Sequence, residues 1–100
     1  MFAVISAEAV PDHLRGYLSR YLQEVHTGLY VGVLSRRVCD ELWQRTITAN
    51  TTGWAVLIRQ DASLENGYDL DIHGKPNMTV LDIDGIRMPA TTAKPRNLQQ

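Results

Sequence analysis

The sequence predicts an α+β fold, a ferredoxin-like sandwich with the element order βαβαββ followed by a C-terminal strand. Three observations lead to this fold class. Apolar runs typical of strands alternate with two segments of helical apolar spacing between residues 2 and 60. The turn signal Asn66-Gly67 then separates two further strand-like runs, which indicates a hairpin. One hundred residues, 44% of them apolar, suffice for a single core that helices on one face of a sheet would cover.

The first strand and the first helix are predicted between residues 2 and 28. Phe2–Ala7 (FAVISA) is a continuous apolar run, as expected of a strand buried on both faces. Pro11 suits the first turn of a helix, where its missing N–H group costs nothing. Gly28 is of the residue type that commonly ends a helix. The apolar stripe of this helix consists of Leu14, Leu18, Tyr21, Leu22 and Val25.

A second strand and a longer helix follow in the sequence. Leu29–Val33 predicts a short strand, and Ser35 is a favourable N-cap for a helix that runs to about Thr48. Glu41 and Arg45 are four residues apart, which predicts an ion pair on the surface of this helix. Because helices of this length act as crossover connections, the pattern favours parallel pairs of strands.

The C-terminal third of the domain is predicted to be made of strands. Trp54–Gln60 is an apolar strand, and Tyr68–His73 alternates apolar and polar residues, so that one face of it is buried. Thr79–Met88 alternates again and predicts the last strand, with Asp84-Gly85 as a bend or a second turn. Since a loop precedes this strand, we expect it to exchange onto the sheet edge of a partner subunit and cover that edge.

The domain boundaries and the cellular location follow from composition. We expect a single ferredoxin-like domain over residues 1–89, and a flexible tail over residues 90–100, which are polar and carry Pro95. Cys39 is the one cysteine, so no intrachain disulfide can form, as is usual in a reducing cytoplasm. No run approaches the ~20 apolar residues of a membrane span. We therefore expect a cytoplasmic protein without a membrane partner.

Cationic residues occupy the starts of both predicted helices. The formal net charge is −1, whereas proteins that bind nucleic acid unaided are usually basic, so such binding would depend on locally placed arginines or on a partner. Arg15 lies near the start of the first helix, and Arg36-Arg37 follow Ser35 at the start of the second. A helix N-terminus attracts anions, so a phosphate site and a pair of solvated charges explain Arg36-Arg37 equally well. His13, in the first turn of the first helix, is a further candidate for a phosphate contact.

Acidic residues offer weaker candidates for chemistry. Glu8 ends the first strand, where a carboxylate can bind a metal or act as a base, but a solvated side chain is the commoner explanation of one isolated carboxylate. Asp69, Asp71, Asp82 and Asp84 alternate in the C-terminal strands. They could form an acidic metal cluster, but outward, solvated strand faces explain them better. No spacing typical of a catalytic triad or a glycine-rich phosphate loop occurs in the sequence.

Three segments in combination resemble one family. They are VPDHLRG (Val10–Gly16), GLYVG followed by a serine-capped helix (Gly28–Ser35), and LDIDGIR (Leu81–Arg87). In this order and spacing, over roughly residues 1–89, the chain resembles the CRISPR-associated Cas2 proteins in their type I-E form. The resemblance implies a ferredoxin-like homodimer that bridges two dimers of the CRISPR-associated integrase Cas1. Such a dimer holds duplex DNA by its backbone while the complex inserts it as a new spacer.

The resemblance also implies roles for individual cations. Arg15 falls on a phosphate-contacting arginine of the family, and Arg37 falls on a basic position at the start of the second helix. His13 stands where a relative has arginine, which implies a weaker or pH-dependent contact. Lys75 is the cation that remains beside a loop in which a relative carries two arginines. By the same comparison, Arg20 and Arg36 are interpreted as ordinary surface charges.

The resemblance also implies a possible catalytic role for Glu8. Many relatives carry an aspartate at this position, and two such aspartates face each other across the dimer and hold a divalent metal, Mg²⁺ or Mn²⁺. A metal-dependent endonuclease activity, an endoribonuclease in the family's usual description, is ascribed to that pair. The type I-E branch shares the glutamate, and its role there resembles scaffolding. An endonuclease that uses Glu8 as a catalytic and metal-binding residue is therefore the alternative to a structural DNA-binding subunit.

Overall fold

The computed structural model describes residues 1–50, 53–74 and 78–91. Nine elements follow one another in these ranges. They are β1 (Phe2–Ala7), α1 (Asp12–Leu18), β2 (Gln23–His26), β3 (Leu29–Val33), α2 (Arg36–Ala49), β4 (Ala55–Gln60), β5 (Tyr68–His73), β6 (Met78–Ile83) and β7 (Ile86–Thr91). The α+β class and the ferredoxin-like sandwich are confirmed, since two helices pack on one face of a five-stranded sheet.

The five-stranded sheet has the order β2-β3-β1-β4-β5. All of its neighbouring strands are antiparallel, so the prediction of parallel pairs is wrong. The physical reason lies in the strand order. The helix α1 joins β1 to β2 across β3, and α2 joins β3 to β4 across β1, so that each crossover connects strands that are not neighbours. A strand of opposite direction fills each gap, which makes the pairs β2–β3, β1–β3 and β1–β4 antiparallel, and β4 and β5 pair as a hairpin.

The first helix is shorter than the sequence predicts. It ends at Leu18 rather than near Gly28, and Gln23–His26 forms β2, which pairs with β3 in a hairpin. Gly28 has a φ of +77° in the hairpin turn, and a Cβ there would lie 2.3 Å from the carbonyl oxygen of Ala7. Glycine is therefore required in the turn, where the chain passes close to β1.

The second helix forms as predicted. The Ser35 hydroxyl accepts a hydrogen bond from the Val38 backbone N–H at 3.2 Å and caps the first turn. Leu42 and Trp43 are buried, and the Thr46 hydroxyl donates to the carbonyl oxygen of Leu42 at 2.7 Å, which satisfies a polar group inside the core. Together with α1, this helix covers a core that includes Ile5, Leu14, Leu18, Tyr30, Ala55 and Leu57.

The last predicted strand is in fact a hairpin of two strands. The turn at Asp84-Gly85 has a positive φ at both residues, 53° and 82°, which is typical of a type I′ turn, and it confirms the second turn signal. Strands β6 and β7 form a separate two-stranded sheet. Ala90 and Thr91 belong to β7, and the remainder of the predicted tail, residues 92–100, lies outside the described residues.

The face of the five-stranded sheet opposite the helices is apolar. Alternation along β1, β3 and β4 directs one set of side chains away from the core, and the register aligns Val4 with Val31 on one side and with Ile58 on the other. We name this surface the open face. Its apolar residues are Phe2, Val4, Val31, Val33, Val56 and Ile58, and Ser6 of β1 lies on the same side of the sheet.

Candidate nucleic-acid interface

Arg15 is held by a carboxylate of the same chain. Its guanidinium donates to the Glu24 carboxylate of β2, which also accepts the Gly28 backbone N–H at 2.9 Å. The hydrogen bond to Glu24 raises the pKa of Arg15, while the Gly28 N–H and then Arg15 lower the pKa of Glu24. Because 37% of the Arg15 side chain stays exposed, the nitrogens that do not contact Glu24 can still face a phosphate.

Arg37 lies in the first turn of α2 and is more exposed than Arg15. Its side chain is 88% exposed, and its Nε lies 3.5 Å from a carboxylate oxygen of Glu41, one helical turn away. Exposed pairs of this kind contribute little stability, so Arg37 can exchange Glu41 for a phosphate at small cost. The predicted pair between Glu41 and Arg45 is wrong, since Glu41 pairs with Arg37 instead.

Arg45 makes a contact that the sequence analysis missed. Its guanidinium carbon lies 4.4 Å from the centroid of the Tyr17 ring, so the cation stacks on an aromatic face of α1. The Tyr17 ring meets the ring of Tyr21 edge-on, with centroids 5.7 Å apart. The helical spacing of Tyr17 and the basic residues near it can be recognised in the sequence. The packing of α2 against them cannot, because it depends on the tertiary structure.

His13 is exposed on α1 and lies at the mouth of a depression between the two helices. We name this depression the interhelix groove. It is lined by His13, Gly16, Tyr17, Arg20 and Arg45. Arg20, predicted to be an ordinary surface charge, therefore shares a site with His13. The predicted contact Lys75 lies outside the described residues.

Glu8 follows β1 directly, and its side chain is exposed. Its backbone is fixed on both sides, because its N–H donates to the Trp54 carbonyl oxygen at 2.9 Å and its own carbonyl oxygen accepts from the Asn50 side chain at 2.9 Å. Within residues 1–50, 53–74 and 78–91, no group of three or more histidine, cysteine or acidic side chains could hold a metal ion. One chain therefore does not fit Mg²⁺ or Mn²⁺ at Glu8.

The four C-terminal aspartates do not behave alike. Asp82 and Asp84 are exposed, as expected of solvated strand faces. Asp69 is buried, however, and lies 3.3 Å from Arg87 and 3.8 Å from Arg59, while Asp71 lies 2.8 Å from Arg87. For Asp69 the prediction of a solvated face is wrong, and Asp71 is only partly exposed, because the β6–β7 hairpin folds back on β5 and brings Arg87 onto their carboxylates.

The comparison with protein families agrees with this geometry. Residues 2–88 match the family described as CRISPR-associated protein (Cas_Cas2CT1978). The match takes in the whole five-stranded sheet, both helices, the interhelix groove and Glu8. In the part of the chain that the structure describes, neither helix has the length and apolar character that crossing a membrane requires.

Proposed function

This chain belongs to the Cas2-type family of CRISPR-associated proteins, and from that membership we propose that it is a structural DNA-binding subunit of the CRISPR spacer-acquisition complex. In this proposal it acts in the cytoplasm as a homodimer that bridges two dimers of the integrase Cas1. The dimer holds duplex DNA by its phosphate backbone, and the integrase carries out the chemistry. The DNA contacts proposed for each subunit are Arg15, Arg37, His13 and Lys75.

The open face is the observation that carries the proposal of a dimer. Its six apolar side chains lie on three adjacent strands, and Val33 and Ile58 among them are substantially exposed in the single chain. Contiguous apolar patches on soluble proteins usually mark interaction sites. A flat apolar sheet can pack on a second copy of itself about a two-fold axis, since each residue then meets the same surface. Both helices would lie on the outside of such a dimer, where DNA can reach them.

The charge distribution supports backbone contacts rather than strong unaided binding. The net charge of −1 means that the cations on α1 and α2 act locally, against a neutral background. Phosphate contacts position a protein on DNA without reading its sequence, which suits a subunit that must accept foreign DNA of any sequence. Binding of this kind weakens steeply with salt.

Two neighbouring arginines provide a direct test of the DNA contacts. Arg36 and Arg37 are both exposed on the first turn of α2, but only Arg37 is proposed to contact DNA. We expect Arg37→Glu to weaken duplex binding by the complex with the integrase and to lower spacer acquisition, whereas the matched Arg36→Glu leaves both nearer to wild type. Equal effects of the two substitutions would contradict the assignment of Arg37. Failure of the wild-type complex to bind duplex DNA at low salt would contradict the function itself.

A metal-dependent endonuclease is the second candidate, and the position of Glu8 favours it. By the alternation of β1, Glu8 continues the row of Val4 and Ser6 on the open face, and its side chain is exposed. A two-fold axis across this face would bring two copies of Glu8 toward each other and double the carboxylates at the site. Since one chain does not fit Mg²⁺ or Mn²⁺, no cleavage step is assigned to it.

A further inference from the structure

The geometry points to the interhelix groove as a binding site for a phosphate group of the duplex DNA backbone. Arg20 and Arg45 donate to the phosphate, and Tyr17 is the positioning residue that holds Arg45 in place. This inference rests on the proposed function. It adds contacts beyond Arg15, Arg37, His13 and Lys75, because neither Arg20 nor Arg45 is singled out by the resemblance.

Two separate elements bring the cations together. His13, Tyr17 and Arg20 are spaced at i, i+4 and i+7, so they fall on one side of α1 and the turn that follows it. The helical path continues as far as Arg20, whose backbone N–H donates to the Tyr17 carbonyl oxygen at 3.2 Å. Arg45 belongs to α2 and lines the interhelix groove on the side opposite α1. None of the described residues that line the groove carries a carboxylate.

The arginines of the groove are available for a ligand, whereas neighbouring cations are engaged. Among the described residues, ion pairs occupy Arg15, Arg37, Arg59 and Arg87, but none involves Arg20 or Arg45. The nearest acids along α2 already have partners: Asp40 lies 2.5 Å from Arg59, and Glu41 pairs with Arg37. Two guanidinium groups that face one depression repel each other, and an anion between them removes that repulsion.

The phosphodiester group matches this arrangement chemically. Arginine presents a planar fork of N–H donors that suits the oxygens of a phosphate. Among the described residues, a Cβ placed on Gly16 would meet no atom within 4 Å, so the groove leaves room there for a bulky group such as a nucleic-acid backbone to approach. Every duplex presents such groups at regular spacing regardless of sequence, as the proposed function requires.

Tyr17 reduces the side-chain entropy that Arg45 loses when it binds a ligand. A free arginine side chain loses rotamer freedom when it contacts a ligand, and that loss opposes binding. The stacking of Arg45 on the Tyr17 ring, at 4.4 Å, restricts that freedom before the ligand arrives. The edge contact of Tyr17 with Tyr21 in turn fixes the ring. The hydroxyl of Tyr17 has no part in this role.

The experiment measures binding of a fluorescein-labelled duplex of arbitrary sequence to the complex with the integrase, over a series of KCl concentrations. The test variant is Arg20→Gln with Arg45→Gln, and the matched control is Arg36→Gln, an exposed arginine of α2 outside the groove. We expect the slope of log K against log[KCl] to become shallower by about 1 per lost phosphate contact in the test variant and to stay near wild type in the control. All three positions are exposed, and circular dichroism verifies that the variants are folded.

Substitutions of Tyr17 separate positioning from charge. Tyr17→Phe keeps the ring and should bind as the wild type does. Tyr17→Leu keeps both arginines but removes the platform, so it should weaken binding while the salt slope is unchanged. A Tyr17→Leu variant with wild-type affinity would overturn the positioning role.

The outcomes distinguish this inference from the proposed function. If the double variant binds with the wild-type slope while Arg37→Glu remains impaired, the groove site is wrong and the proposed function stands. If the wild-type complex binds no duplex, both are wrong. If the double variant binds duplex normally but no longer co-elutes with the integrase in gel filtration, the groove contacts a protein, and the inference is overturned.

Discussion

The substitution Ile58→Thr tests whether the open face is the dimer interface. Ile58 lies on that face in β4, next to Val4 of the central strand β1, and 39% of it is exposed in the single chain. Threonine is also β-branched and suits a strand, so the substitution removes apolar surface with little change in the backbone. The variant should therefore keep its fold while it loses part of the driving force for association.

The size of the effect follows from the exposed fraction. Full burial of an isoleucine side chain is worth about 1.5–3 kcal/mol, so burial of the remaining 39% is worth about 0.6–1.2 kcal/mol per copy. A two-fold interface contains the residue twice, which gives about 1.2–2.4 kcal/mol for the dimer. The dissociation constant should then rise by about 10- to 50-fold.

Sedimentation equilibrium measures that dissociation constant. Ile58→Val is the matched control at the same position, since it removes one methylene and keeps the surface apolar, and its dissociation constant should change far less. Thermal unfolding followed by circular dichroism verifies that both variants fold. An Ile58→Thr variant that dimerises with wild-type affinity, or a wild type that is monomeric at every concentration, would refute the reasoning.

Three further predictions concern stability and chemistry. Asn50 is 2% exposed and bonds to the backbone of Glu8, Gly53 and Trp54, so Asn50→Ala should lower the free energy of unfolding by about 2–3 kcal/mol in urea titration; a change near zero would count against that network. The lowered pKa of Glu24 means that its stabilising contribution is present above its unfolded pKa of about 4.3 and is lost as the pH falls through the lower folded value. Urea midpoints of wild type should therefore fall more steeply on acidification than those of Glu24→Gln, and parallel curves would disprove the coupling. Glu8→Gln should leave duplex binding and spacer acquisition intact, whereas loss of an RNA or DNA cleavage activity in this variant would support the endonuclease instead.

Local signals decided which elements the sequence could predict. The structure confirms the predicted N-cap Ser35 of α2. A cap and an apolar stripe can be predicted because they depend on residues within a few positions of each other. The turn at Asp84-Gly85 is equally local, since the glycine readily adopts its positive φ. The end of α1 depends instead on pairing between β2 and β3. The spacing of Leu22 and Val25 fits a helix as well as it fits a turn and a strand.

Because the sequence predicts a first helix that is too long, it does not predict the contact between Arg15 and Glu24. On one continuous helix, residues nine apart are separated by two and a half turns and lie on opposite sides. The observed β2–β3 hairpin reverses the chain and brings the two side chains together. The burial of Asp69 could not be predicted for a related reason, because its partner Arg87 belongs to a hairpin that folds back on β5 only in the tertiary structure. Charge pairs between distant segments were thus the part of the site that sequence patterns could not supply.

The paired and unpaired arginines explain how a chain of net charge −1 could hold DNA. Carboxylates of the same chain engage Arg15, Arg59 and Arg87, which stabilise the fold, whereas no carboxylate of the described residues pairs with Arg20 or Arg45 in the interhelix groove. A dimer presents each free cation twice, so its salt slope should be about double that of one subunit. DNA affinity should then depend on dimerisation. Near the dissociation constant of the dimer, Ile58→Thr should make the salt dependence shallower although it removes no charge. A salt slope that stayed at the wild-type value while the dimer dissociated would separate the two properties and show that one subunit suffices to hold the duplex.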